Sequence, residues 1–534
     1  MANQEPEKRD YSNPNVTQEQ RSFVYQKRRY VGRKESIGYV AWDMAQSFNI
    51  NSFDGRFINN ILQIDFTLQQ LSTAINGVWD IINDIFTAAL VERTRTRWGK
   101  FKPYLVLLAG PGTLGGIIKW ILPFIFMGTK PDYLPKFIAY LILGFVSEGI
   151  GTFQGIAQEG LLATITPHPV DRTRLITMVN FWSGFLGEKL PEQLMTLVLD
   201  LVGNGVLKPK DGNMQRMFTN VFGGMGVFTV LVGGIASLLF NIIAKERVMQ
   251  SIDQPSIKQS IQSIINNRPI LLLTASEILG TISVSAGGMS DYYIDVLNLA
   301  SMKFFVGIPG AVIHPFSYMV VPWFRRKFST RFLYFYCYLL SNISMLPVFL
   351  VGAMGGIDNG LYRQKVPIGL MLGAQETIFM TQYGLNRVVK KEMYNEAMDY
   401  CEWRNGYRTE AMTAVAKGLA VKFGKLLTNL FNLQVKKWIG YDQTLYSKGM
   451  MQTNRTQFYL FMSATLLPLF SSMLSVIPMF FWNLNKTKRE QMYAELLERR
   501  AGMAAAAADA DAATMDELAK EQLNISQVNK GRKL

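Results

Sequence analysis

Trp79-Asp80-Ile81-Ile82-Asn83-Asp84-Ile85-Phe86 sets two carboxylates one helical turn apart in an apolar stretch. The i, i+3, i+4 spacing puts Asp80, Asn83 and Asp84 on one face of a helix. A carboxylate near the centre of a bilayer costs roughly 2.5–3.5 kcal/mol on insertion scales, and a neighbouring one adds repulsion. Such a pair persists where a cation, a proton or an internal cavity compensates it. The stretch therefore predicts an ion or proton site in a membrane transporter.

The rest of the chain agrees with a membrane setting. It has 534 residues, 49% of them hydrophobic. Apolar runs at 104–127, 217–243, 332–354 and 458–481 are each long enough to cross the hydrocarbon. Mean hydropathy is only +0.10 because polar tails and polar-faced helices dilute it. A net charge of +15 raises the possibility of nucleic acid, but the basic residues cluster just outside the apolar runs, on alternate loops. That is the positive-inside pattern, so no nucleic-acid partner is expected. Two cysteines, Cys337 and Cys401, and two histidines, His168 and His314, supply neither a disulfide framework nor a His-based metal centre. No G-x-S-x-G elbow or nucleotide loop is present, and no enzymatic activity or organic cofactor is expected. Residues 1–34 are polar and charged, without the apolar core of a signal peptide.

Hydropathy predicts an all-α integral membrane protein with twelve transmembrane helices. The expected spans fall near 37–61, 67–91, 104–127, 134–165, 174–203, 216–243, 269–295, 302–323, 331–355, 364–389, 410–440 and 456–482. An even number of spans puts both termini on one side. Most Lys and Arg residues outside spans lie on that side, which fixes both termini in the cytoplasm of a plasma membrane protein. The organisation reads as a cytosolic arm (1–36), a six-helix bundle (37–243), a central loop (244–268), a second six-helix bundle (269–482) and a cytosolic tail (483–534). Basic loops at 92–100 and 323–331 occupy corresponding places in the two halves, as duplication requires. In the tail, 486–500 is a charged amphipathic helix candidate, and 501–513 is Ala-rich low complexity.

Two longer signatures carry a resemblance. One is Trp79-Asp80-Ile81-Ile82-Asn83-Asp84, followed by Thr94-Arg95-Thr96-Arg97-Trp98-Gly99-Lys100-Phe101-Lys102-Pro103. The other is Asp399-Tyr400-Cys401-Glu402-Trp403-Arg404-Asn405-Gly406-Tyr407-Arg408-Thr409-Glu410, with Lys422 beyond it. Together they resemble the glycoside–pentoside–hexuronide:cation symporters of the melibiose permease type, in the major facilitator superfamily. The resemblance implies the two-half major facilitator fold, with a midplane site between the halves.

The same resemblance implies site residues. The cation, probed first as sodium with proton or lithium as alternatives, would be held by the oxygen donors of Asp80, Asn83, Asp84 and Thr152; Glu148 and Glu159 offer proton sites instead. Asp43, in Gly38-Tyr39-Val40-Ala41-Trp42-Asp43-Met44, matches an aspartate that accepts hydrogen bonds from sugar hydroxyls. Lys422 matches a lysine near both sites. Departures concentrate in the solute pocket: Gly155 and Asn180 stand where the family has an aspartate and an arginine, and Glu159 replaces a tryptophan. Arg93, Arg95 and Arg97, with Arg172 and Arg408, are expected to pair with acids such as Asp171 and Glu402 in a cytosolic gate, because the guanidinium fork binds carboxylates bidentately.

The leading expectation is a monomeric secondary active transporter in the lipid bilayer, coupling sodium to uptake of a small sugar-like solute by alternating access. The alternatives are a sodium-coupled carrier of lysolipids or other amphiphiles, and a non-transporting membrane sensor of the same fold.

Overall fold

The structure is a computed structural model that describes residues 31–94, 96, 98–165, 169–209, 211–243, 266–282, 284–405, 410–485, 487–496 and 498. The first half contains α1 (Arg33–Ser47), α2 (Phe66–Arg93), α3 (Lys102–Ile125), α4 (Leu134–Thr164), α5 (Pro169–Trp182), α6 (Leu190–Gly203) and α7 (Met214–Ile243). The second contains α8 (Arg268–Thr281), α9 (Gly288–Asp295), α10 (Met302–Met319), α11 (Val321–Lys327), α12 (Thr330–Ile343), α13 (Met345–Gly352), α14 (Lys365–Thr381), α15 (Tyr383–Asn405), α16 (Glu410–Trp438), α17 (Asn454–Thr465) and α18 (Leu467–Met473). No β-strand forms among the described residues.

Local chemistry explains the helix starts. Asp65 caps α2 by accepting from the Thr67 amide, Asn267 caps α8 through the Ile270 amide, and Ser329 caps α12 through the Phe332 amide. Proline occupies the first turn of α3, α4, α6, α8 and α11, where its missing N–H costs nothing. Glycine lets α3 and α7 approach closely: a side chain at Gly226 would overlap the Trp120 indole, and one at Gly234 would overlap Thr113.

Five described helices are long and apolar enough to cross a membrane, or six if the pair α10–α11, bent by 51°, counts as one span. Several expected spans are interrupted. The 37–61 stretch is α1, a non-helical step at 48–50, a short 3₁₀ turn (Asn51–Phe53), one helical turn (Asp54–Arg56) and a π-helix (Phe57–Leu62). The 269–295 stretch is α8 and α9, separated by 282–287. Bilayer interiors tolerate such breaks only where protein satisfies the backbone. Here Asn432 Oδ1 accepts from Ser285 N at 2.7 Å, and Ser463 Oγ accepts from Ala286 N at 3.2 Å.

Two groups of contacts define the faces. Near one face, which we call distal, residues 50–65 meet 131–136, 192–203, 291–303 and 441–447. The links include Lys136 Nζ to Gln63 O (2.8 Å), Asp200 to the Ser301 amide (2.9 Å) and Gln443 Nε2 to Ile64 O (2.8 Å). At the other face, which we call terminal, Asn267 reaches Ala397 O and Arg325 pairs with Glu392. Among the described residues, a buried apolar cluster joins the halves distally: Ile50, Phe57, Met195 and Leu199 pack with Ile294 and Ala300. On the terminal side each half keeps its own core, around Trp42 and Leu161 in one and Leu333 and Met393 in the other.

The amphipathic tail is helical over 487–496. Met492 and Leu496 are fully buried against the second half, Arg489 pairs with Glu396 at 3.0 Å, and Tyr493 donates to Asp399 at 3.2 Å. The Ala-rich segment 501–513 lies outside the described residues.

Candidate functional site

α2 carries Asp80, Asn83 and Asp84 on the face turned to α16 of the other half. Close packing brings them there: Gly77 of α2 has no side chain, and a Cβ would meet the Leu426 methyls of α16 at 2.7 Å. One turn from Leu426, Lys422 Nζ donates to Asp80 Oδ1 at 2.7 Å and to Asp84 Oδ2 at 2.5 Å. A single ammonium thus bridges both carboxylates across the junction of the halves. All three side chains are partly exposed, with Lys422 the most open at 36%.

α4 packs along α2 in the same direction. A Cβ at Gly144 would touch Asn76, Trp79 meets the Phe145 ring at 5.5 Å, and Glu148 faces Asp80 within the field of Asp84 and Lys422. Thr152 lies one turn beyond Glu148 on α4. Asn83 is buried: its Oδ1 accepts from Thr87 Oγ1 at 3.3 Å, and its Nδ2 has no partner among the described residues. The Asp80 and Asp84 carboxylate oxygens are of the hard type that suits a hard cation. Among the described residues no three His, Cys, Asp or Glu side chains converge as for a transition metal.

Asp43 sits in α1, where Ser183 Oγ donates to its Oδ1 at 2.7 Å and Gln158 Nε2 to its Oδ2 at 3.4 Å. The π-helix Ser183–Lys189 between α5 and α6 carries that serine, and Gly187 in it packs on the α1 backbone at Met44. Asp43 and the Asp80–Asp84 pair therefore occupy different helices, with α4 serving both through Gln158 and Glu148. A Cβ at Gly155 would meet nothing within 4 Å, so that position opens onto free space. The side chains of Glu159, Asn180, Arg93, Asp171 and Arg172, and residues Arg95, Arg97 and Arg408, lie outside the described residues. Glu402 stands in the terminal-side part of α15, half-buried and engaged in polar contact.

Sequence reasoning missed the charges at the distal face. Arg56 Nη1 and Nη2 each donate to the Asp295 carboxylate at 2.8 Å, and Nη2 also reaches Asp291 Oδ1 at 2.8 Å. Lys436 Nζ donates to Asp291 Oδ2 at 2.8 Å, and Tyr441 donates to Asp295 Oδ2 at 2.9 Å. A charged residue inside each of three expected spans was the available signal, and the positive-inside count passed over it. A cavity of about 110 Å³ also lies here. It is lined by both halves, with Leu199 and Met214 on one side and Asn298, Ala300 and Tyr446 on the other.

The model of the MFS/sugar transport protein family matches residues 36–486. Among curated relatives, the isoprimeverose transporter of Lactiplantibacillus pentosus is 22% identical over 408 residues, 72% of this chain and 78% of that one. The uncharacterized symporter YnaJ of Bacillus subtilis (strain 168) is 22% identical over 87% of this chain and 95% of its own. The glucuronide carrier protein homolog of Escherichia coli (strain K12) is 21% identical with the same two coverages.

Proposed function

The chain belongs to the MFS/sugar transport protein family and is a multi-pass membrane transporter rather than an enzyme; from that premise we propose that it couples a cation, sodium first, to movement of a sugar-like solute by alternating access. The observation that carries the reading is the Asp80–Lys422–Asp84 bridge between the halves. With Glu148 beside it, three carboxyl groups face one ammonium. If all are ionised the cluster is short of positive charge, and a sodium ion among Asp80, Asn83, Asp84 and Thr152 supplies it, as does a proton on Glu148. An arriving cation competes with Lys422 for the same oxygens and loosens a tie between the halves. Cation occupancy thereby alters the balance of conformations, and linkage makes solute and cation affinities mutually dependent.

Relatives named for isoprimeverose and for glucuronide support a small glycoside or uronide as solute. Asp43, with Ser183 and Gln158 fixing its carboxylate, offers acceptors for adjacent hydroxyls. Glu159, Asn180 and Lys422 complete the proposed solute-side residues, and Arg93, Arg95, Arg97, Asp171, Arg172, Glu402 and Arg408 the cytosolic gate. The transporter works as a monomer in the plasma membrane, with both termini and the 487–496 helix in the cytoplasm.

The test is counterflow and gradient-driven uptake in proteoliposomes over a panel of pentosides, hexosides, uronides and lysolipids. The expected result is sodium-stimulated uptake of a glycoside or uronide that Asp84→Asn abolishes while counterflow persists. Sodium-stimulated uptake that survives Asp84→Asn overturns the site; uptake of lysolipids alone overturns the solute class.

A further inference from the structure

We propose that Arg56, Asp291, Asp295 and Lys436 form the distal gate of this transporter, with Arg56 and the two aspartates carried on short helical pieces that hinge at 48–50 and 284–287.

Four charges meet here, two of each sign, and all are buried: the Arg56 side chain is 2% exposed, Asp295 3%, Lys436 6% and Asp291 13%. The cluster is neutral only as a whole. Arg56 belongs to the first half, and its three charged partners belong to the second. The neighbouring polar links also cross the halves. Asn60 Nδ2 donates to Tyr441 Oη at 3.1 Å, Gln63 Nε2 to Ser447 Oγ at 2.7 Å, and the Arg56 guanidinium lies over the Tyr446 ring at 4.6 Å. Lys303 pairs with Glu192, and Asp200 caps α10 through the amides of Ala300 and Ser301. Each of these must break for the halves to part distally.

The supports are matched. Arg56 lies as far beyond Arg33, where α1 begins, as Asp291 lies beyond Arg268, where α8 begins. In both halves the first helix stops after about four turns, loses helical form, and resumes as a short piece that bears the charge. Corresponding interruptions in two repeats mark the moving and binding parts of a transporter. The second hinge ends on Gly287 at φ +133 and α9 opens on Gly288 at φ +71, backbone that side-chain-bearing residues avoid. A Cβ on Gly287 would overlap the Asp291 carboxylate, so the hinge glycine also makes room for the gate charge.

Charge fixes how the gate works. Separation leaves one net positive charge on the first half and one net negative on the second, inside a low-dielectric wall. Water must therefore enter as the gate opens and leave as it closes. The 110 Å³ cavity bounded by both halves is the remnant of that wet space. Removing Arg56 leaves the second half with an unbalanced buried carboxylate, which biases the protein toward the open, hydrated form. Neutralising Asp295 at the same time restores the balance. Arginine suits the place because its fork grips Asp295 at two points while still reaching Asp291; lysine offers one point charge.

This inference rests on the alternating-access reading, but its test needs no solute. Ala300 lines the cavity at 5% exposure, and the native Cys337 and Cys401 are buried. Ala300→Cys in sealed vesicles, distal face outward, is reacted with a membrane-impermeant maleimide. The expected result is slow labelling in the otherwise native chain. It rises at least about tenfold with Arg56→Gln, less with Arg56→Lys, and returns most of the way with Arg56→Gln plus Asp295→Asn. A second arm keeps the gate charges native: oxidising the pair Gln63→Cys and Ser447→Cys should suppress labelling at Ala300→Cys, and reduction should restore it. Unchanged labelling in folded Arg56→Gln, or labelling indifferent to the disulfide, overturns the gate. Failure to find a sodium-driven solute would leave these results intact and strike only the coupling reading.

Discussion

At the residue scale, Lys422 and Arg56 do related work with different chemistry. Lys422 is a single point charge held by two carboxylates in a partly open site. Arg56 is a rigid fork sealed among its partners, and only a movement of the halves releases it. Glu396 shows a third arrangement on the terminal side, beyond the expected span. Burial holds its carboxyl above the ordinary glutamate range, and the opposing pulls of Arg489 and Arg325 only partly offset this. A folded-state value above the unfolded one means stability fully present below the unfolded value and lost as pH rises through the folded one. Glu396→Gln should therefore flatten the fall of the melting temperature as pH climbs out of the ordinary glutamate range, measured in detergent against the parent protein. An unchanged pH slope would show that Glu396 does not titrate with folding. Asp80 and Asp84 were legible in the sequence because they sit one turn apart in an apolar helix. Arg56 was not, because its partners lie 235 and 239 residues away and no local spacing announces them.

At the element scale, hydropathy located the helices but not their interruptions. The break between α10 and α11 coincides with Pro322, a signal that sequence carries openly. The break at 282–287 falls in Ile-Ser-Val-Ser-Ala-Gly, where nothing but the final glycine forbids a helix. It exists because Asn432 and Ser463 on other helices take the freed amides. Gly287→Ala should cost about 1–3 kcal/mol in strain alone, with displacement of Asp291 added. Gly288→Ala, whose Cβ would stand in open space, should cost less. Chemical or thermal unfolding of the two variants side by side checks the order; equal losses would mean that crowding at Asp291 contributes nothing. The π-helix over Ser183–Lys189 was equally silent in sequence, yet it supplies the serine that fixes Asp43.

At the scale of the molecule, the two halves are tied by charge in two layers. The distal layer is dense and buried; the inner one is the lysine bridge across Asp80 and Asp84. The family and its two-half fold were legible from two long motifs and the placement of basic loops. The closed distal face was not, since it depends on which residues of one half meet those of the other. Coupling as proposed requires Asp80 and Asp84 to hold the transported cation. The most direct measurement is the melting temperature of the purified protein titrated with sodium at constant ionic strength, choline making up the balance. Binding to the folded state alone raises stability with the logarithm of ligand above its dissociation constant. The melting temperature should rise saturably with sodium, and Asp84→Asn should remove the rise. A melting temperature indifferent to sodium, or a variant stabilised to the same degree as the parent, would contradict it.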